Sequence, residues 1–161
     1  MVIEIIEADL SLPAHAAATL SLLDQYARDP MGGGSGLAEF ARANLIAELR
    51  RRQWLRVILA RLGTEPVGLA ICIEGFSTFA CKPLLNIHDL VVAEKFRRRG
   101  FARQILREIE RLARAMGCCK ITLEVLEGNR GAQALYRECG YAGYQLDPAM
   151  GKAMFWQRPL D

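Results

Sequence analysis

What this chain lacks narrows its function before any motif is found. Its five cysteines, Cys72, Cys81, Cys118, Cys119 and Cys139, form no CxxC pair and are odd in number, which suggests neither a zinc site nor a closed disulfide framework. No metal is expected. No apolar run approaches the roughly 20 residues of a membrane span. The opening MVIEIIEADL mixes acids with apolar residues, unlike the basic start and long apolar stretch of a signal peptide. A soluble, cytoplasmic protein without a membrane partner is the expectation. Neither GxxxxGK[ST] nor GxGxxG occurs, so the commoner phosphate loops are excluded. The net charge is only +3, and although Arg50–Arg52 and Arg97–Arg99 are basic clusters, no nucleic-acid partner is expected. Arg50–Arg52 closes a predicted helix, where cations complement the dipole.

What is present suits one domain over 1–161. At 161 residues a chain buries about 70% of its unfolded surface, enough for a core without metal or disulfide. Weak alternation predicts a strand over Val2–Ile6. Helical spacing then runs from about Leu12 to Arg28, stopped by Pro30 and the glycine run 32–36, and again from about Leu37 to Arg51. Strands follow over Trp54–Arg61, Pro66–Phe76 and Leu84–Val92, the last two antiparallel. Apolar residues from Phe101 to Met116 recur at helical spacing, ended by Gly117, and Lys120–Leu126 alternates as a strand. Strand, helix and strand from Leu84 to Leu126 make a right-handed crossover with parallel neighbours. A short helix over Gly131–Glu138 precedes strands near Gly143–Leu146 and Ala153–Arg158.

Two stretches carry chemistry. In IHDLVVAEKFRRRGFA, residues 87–102, a strand turns through a basic loop into the helix that opens at Phe101. Free N–H groups at a helix start, with its dipole, bind anions, and Gly100 allows close backbone approach. The second stretch is NRGAQALYRECGY, residues 129–141.

Together these resemble the GNAT superfamily of N-acetyltransferases. Arg97, Gly100 and Ala102 match the Q/R-x-x-G-x-G/A motif; Asn129, Ala132, Leu135, Tyr136, Gly140 and Tyr141 match N-x-x-A-x-x-L/F-Y-x-x-x-G-F/Y. The resemblance covers about residues 66–146. It implies an α/β GNAT fold, a mixed, curved sheet of six or seven strands with helices on both faces, and an enzyme that moves acetyl from acetyl-CoA to an amine. The cofactor contacts it implies are Leu90, Val91, Val92, Arg97, Arg98, Arg99, Gly100, Phe101, Ala102, Arg103, Asn129, Ala132 and Tyr136. Leu90, Val91 and Val92 belong to a strand end that in the family bulges and splays from its parallel neighbour, freeing amides for the acetyl carbonyl and pantetheine. Their side chains read equally as core. Asn129 reads equally as a helix cap.

Acetyl transfer needs a neutral amine, a polarised carbonyl and a proton for the departing thiolate. Tyr136 is the catalytic acid that the intact motif implies, a phenol of ordinary pKa about 10. The segment FSTFACKPLLNIHDLVV resembles spermidine/spermine N-acetyltransferases, where a Glu-Asp pair stands at the His88–Asp89 position; arylalkylamine acetyltransferases place a catalytic His there. His88 is therefore the candidate base, with a backbone-bonded histidine as the alternative. Alternation predicts Asn86, His88 and Leu90 on one strand face, and Ile87, Asp89 and Val91 on the other. Glu74 and Asp89 are candidate amine contacts. A small-molecule primary amine, direct transfer in a ternary complex and a homodimer through Phe155 and Trp156 complete the expectation. A protein or peptide N-acetyltransferase and a noncatalytic acyl-CoA-binding regulatory module are the rival readings.

Overall fold

The computed structural model describes residues 3–160; Val2, where the first strand is expected to begin, lies outside them. The chain divides into two compact units, Met1–Leu123 and Glu124–Asp161. In the first the elements run β1 (Glu4–Glu7), α1 (Pro13–Arg28), α2 (Glu39–Arg50), β2 (Leu55–Leu62), β3 (Glu65–Ser77), β4 (Lys82–Val92), α3 (Phe101–Ala115) and β5 (Ile121–Leu123). The five strands form one sheet in chain order. β1 to β4 pair antiparallel, and β4 with β5 is parallel. Parallel pairing follows from the connection, since α3 carries the chain back along the sheet before β5 begins.

Strand pairing assigns the two faces. Ile58, Ala70, Cys72, Leu85 and Ile87 share one face; Val57, Leu59, Leu69, Ile71 and Val91 share the other. All ten are buried, so helices must cover both sides. α3 lies on the first: a Cβ on Gly68 would come within 2.8 Å of Ile105 Cδ1 and 2.9 Å of Val91 O. Its buried residues, Ile105, Leu106, Ile109 and Ala113, recur at helical spacing, each large one worth about 1.5–3 kcal/mol of burial. The outer face carries Arg111–Glu108 and Arg114–Glu110 pairs, both 2.6 Å. Gly117, at φ +72°, ends the helix because that conformation costs glycine nothing. α1 covers the second face with Thr19, Leu22 and Leu23. Arg51 and Arg52, from the first basic cluster, both pair with Glu48 at the end of α2.

The second unit holds α4 (Arg130–Glu138). Asn129 Oδ1 accepts the Ala132 N–H at 3.1 Å, which is the cap that the sequence allowed. Gly140, φ +88°, turns the chain out of the helix. The strands expected near Gly143–Leu146 and Ala153–Arg158 do not form among the described residues, so the sheet has five strands rather than six or seven. A strand persists when a neighbour takes its amides and something covers its apolar side. Here Leu146, Met154, Phe155 and Trp156 are all more than 70% exposed, and Gly143, Pro148 and Gly151 interrupt the run.

Candidate active site

The register of β4 decides the geometry. Ile71 pairs with Asp89 and the next residue, Cys72, with Ile87, so His88 is an extra residue, a β-bulge. A bulge resets the alternation. Asn86 (opposite Ile73), Asp89 (opposite Ile71) and Val91 (opposite Leu69) share a face, while Ile87 and Leu90 share the other. The alternation expected from sequence, with Asn86, His88 and Leu90 together, is corrected on this point. Asp89 is consequently turned away from the apolar face under α3. Glu74, opposite Leu85, stays on that α3 face with its carboxylate 4.0 Å from Arg56. Glu74 and Asp89 are therefore not brought together.

Around Asp89 the charges are crowded. Burial raises its carboxyl above the ordinary carboxylate range, offset in part by the charge of His88. Burial and the Asp89 charge push the neighbouring Cys72 thiol up to about 12, which keeps it protonated and unreactive. Tyr26, in the last turn of α1, has its phenol raised by burial and then by the charges of Asp89 and Asp29. The end of α1 thus faces the bulge. His88 itself is exposed.

Beyond the bulge β4 loses a neighbour. Its ladder with β5 spans Leu85↔Ile121, Asn86↔Thr122 and Ile87↔Leu123 and stops there. Among the described residues, Asp89, Leu90, Val91 and Val92 pair with β3 and not with β5, so this end of β4 has no strand on its other edge. The following loop makes a one-turn 3-10 helix over Glu94–Phe96. Arg98 takes the left-handed conformation, φ +59°, and so does Gly100 at +78°. Two such residues in three turn the loop sharply just before α3 begins. Gly100 caps α3 without any side-chain hydrogen bond. The first amides of α3, from Phe101 and Ala102, have no acceptor within the helix. A Cβ on Gly100 would meet nothing within 4 Å, so the approach is open. Arg99 lies 5.7 Å from the Phe96 ring centroid, its charge held beside the loop. Arg97 behaves differently: Nη2 donates to Asp29 Oδ2 at 2.9 Å and Nε to Val92 O at 3.1 Å.

In the second unit the Tyr136 and Tyr141 rings stand 5.9 Å apart, tilted by 60°, and the Tyr141 N–H donates to Tyr136 O. The motif residues Ala132 and Tyr136 both lie in α4, which Asn129 caps. No group of three or more His, Cys, Asp or Glu able to hold a metal occurs among the described residues.

The end of β4, the basic loop with its two left-handed residues and the start of α3 thus follow one another in a single stretch of chain, which lies within the span that a family model matches. That family model, of the acetyltransferase (GNAT) family, matches residues 21–141. The chain belongs to the GNAT family. It is an N-acetyltransferase, and its fold is the GNAT α/β fold with five strands. It is 28% identical over 137 residues, 80% of this chain and 78% of the relative, to a thialysine N-ε-acetyltransferase of Caenorhabditis elegans. Among solved structures it is similar to a probable acetyltransferase, with TM-score 0.79, 23% identity and 98% of both chains covered. AAC(6')-Iy, in complex with the bisubstrate analogue CoA-S-monomethyl-acetylneamine, is similar with TM-score 0.76 and 17% identity over 99% of this chain and 100% of that one.

Sequence reasoning missed Tyr26, Asp24 and Asp29. Asp24 takes the Leu37 N–H, Arg28 and Arg42, so it pins both sides of the glycine run. Arg28 and Met31 are local partners, but Arg42, Arg97 and Asp89, which tie these residues to the rest of the site, come from distant segments.

Proposed function

We propose that this GNAT enzyme transfers acetyl from acetyl-CoA to the primary amine of a small molecule, by direct transfer in a ternary complex within one domain. The release of β4 from β5 after Ile87, next to the open start of α3, carries this reading. The thialysine acetyltransferase relative supports a small amine as acceptor. The family match, over residues 21–141, crosses the boundary between the two units, which supports a single functional domain.

Acetyl-CoA, when bound, supplies the thioester whose C–S bond breaks as the amide C–N bond forms. Phe101, Ala102 and Arg103 offer their N–H groups to its diphosphate, with Arg98 and Arg99 adding positive field. Leu90, Val91 and Val92 hold the acetyl carbonyl and pantetheine through backbone amides. His88, exposed at the bulge, takes the ammonium proton directly or through water. Asp89 contacts the amine. By the matching motif we assign Tyr136 as the acid for the departing thiolate, and Asn129 and Ala132 as cofactor contacts. The five free thiols suit the reducing cytoplasm. We also assign a homodimer through the exposed Phe155 and Trp156; a monomeric mass by light scattering at micromolar protein would remove it.

Thiol release from acetyl-CoA across a panel of free amines and peptides tests the reading. Turnover with free amines that falls at least about tenfold in Tyr136→Phe supports it. Turnover with peptides alone favours the protein acetyltransferase, and tight CoA binding without turnover favours the regulatory module.

A further inference from the structure

The Arg97 guanidinium reaches the residue that follows α1. Its Nη2 donates to Asp29 Oδ2 at 2.9 Å and its Nε to Val92 O at 3.1 Å. Asp29 is itself a junction. Its Oδ1 accepts the Met31 N–H at 2.9 Å, and its carbonyl accepts Gly32 N–H at 2.8 Å and Gly34 N–H at 3.1 Å. One carboxylate therefore folds the glycine segment with one oxygen and holds the cofactor loop with the other. The carboxylate is only 19% exposed; the Met31 amide, then Arg97, keep its pKa below the ordinary range. Packing leaves that segment little freedom, since a Cβ on Gly32 would come within 1.9 Å of Tyr26 O. Tyr26 in turn feels the charges of Asp89 and Asp29, which places this junction beside the bulge.

We infer that Arg97 is a positioning residue rather than a phosphate ligand: through Asp29 it braces the Pro30–Gly36 segment against the end of β4, and so shapes the acceptor side of the site. The inference rests on the proposed amine transfer for its kinetic consequence, not for its structural one. A planar guanidinium spans two acceptors at fixed angles, which a single ammonium cannot do. Charged contacts that the loop needs for the diphosphate remain with Arg98, Arg99 and the α3 amides.

Arg97→Gln and Asp29→Asn separate the two roles, because asparagine keeps the Met31 cap while losing the charge. Hydrogen exchange on the ligand-free protein should speed up by about threefold or more at Met31, Gly32 and Gly34 in each variant. In kinetics both should raise the amine KM by about fivefold with kcat within about twofold, and the double variant should be no worse than either single one. Calorimetry should give an acetyl-CoA Kd within about twofold of wild type in both. An acetyl-CoA Kd weakened about tenfold in Arg97→Gln alone overturns the inference and returns Arg97 to the phosphate. Unchanged exchange at the three amides overturns it as well. Faster exchange in a protein that binds no acetyl-CoA at all would keep the brace and sink the acetyltransferase reading instead.

Discussion

The two halves of β4 share a neighbour on one side and differ on the other. Leu85 to Ile87 lie between β3 and β5, with Leu85 at 0% exposure and Asn86 Nδ2 bonded to Thr122 Oγ1 at 3.1 Å. Asp89 to Val92 keep β3 and lose β5. The first half is used for stability. The second has no strand on its other edge among the described residues and carries the half-buried Asp89 carboxyl, and His88 stands where one becomes the other. In the same strand, pairing on both sides builds the core, and pairing on one side leaves groups for a ligand.

Deleting His88 should break that contrast most. The flanking pairs, Ile71↔Asp89 and Cys72↔Ile87, would then be consecutive and regular, so the strand survives without its kink. We expect kcat/KM for the amine to fall by about 10³ while the cooperative thermal transition persists, because catalysis suffers both the lost base and misplaced backbone. A deletion variant as active as wild type would show that the bulge does not matter. Leu85→Ala strikes the other half. It should cost about 2–5 kcal/mol of stability in urea titrations and leave acetyl-CoA affinity unchanged, and a large change in that affinity would mean the halves are not separable. His88→Gln keeps the bulge and removes the titrating group. It should lower kcat/KM by about 10², most at and below neutral pH where the amine arrives protonated, and a flat, unchanged pH profile would remove His88 as base. The gap between this variant and the deletion measures what the bulge adds beyond the imidazole.

The smallest effect concerns Asp89. Its pKa is raised in the folded chain by burial, so the native state holds the proton more tightly than the unfolded one. Stability therefore falls as pH rises from the unfolded aspartate value, about 3.9, through the raised folded value. Asp89→Asn should flatten that decline in melting temperature against pH. Identical slopes would mean that the carboxyl is well solvated, like the exposed end of the strand rather than the buried one.

Much of the fold was legible. Hydrophobic period placed the four helices and five strands within a few residues, since each buries one stripe or face against the sheet. Gly100 and Gly117 marked the two ends of α3, because left-handed backbone restricts residue choice. The two strands expected after Tyr141 were read from β-forming residues, but a strand also needs a neighbour, which composition cannot supply. Arg97 was read with the phosphate loop by motif; its partner stands 68 residues earlier.

The order of residues alone determined the family, through two spaced motifs, and the run of elements that brings a basic loop to a helix start. Tertiary pairing alone decided that His88 is the surplus residue, that Asp89 turns from one face of the sheet to the other, and that Arg97 reaches Asp29. The reason is physical. Periodicity and glycine act through neighbouring residues, whereas the register of two strands and the partner of a long charged side chain are fixed by which distant segments pack together.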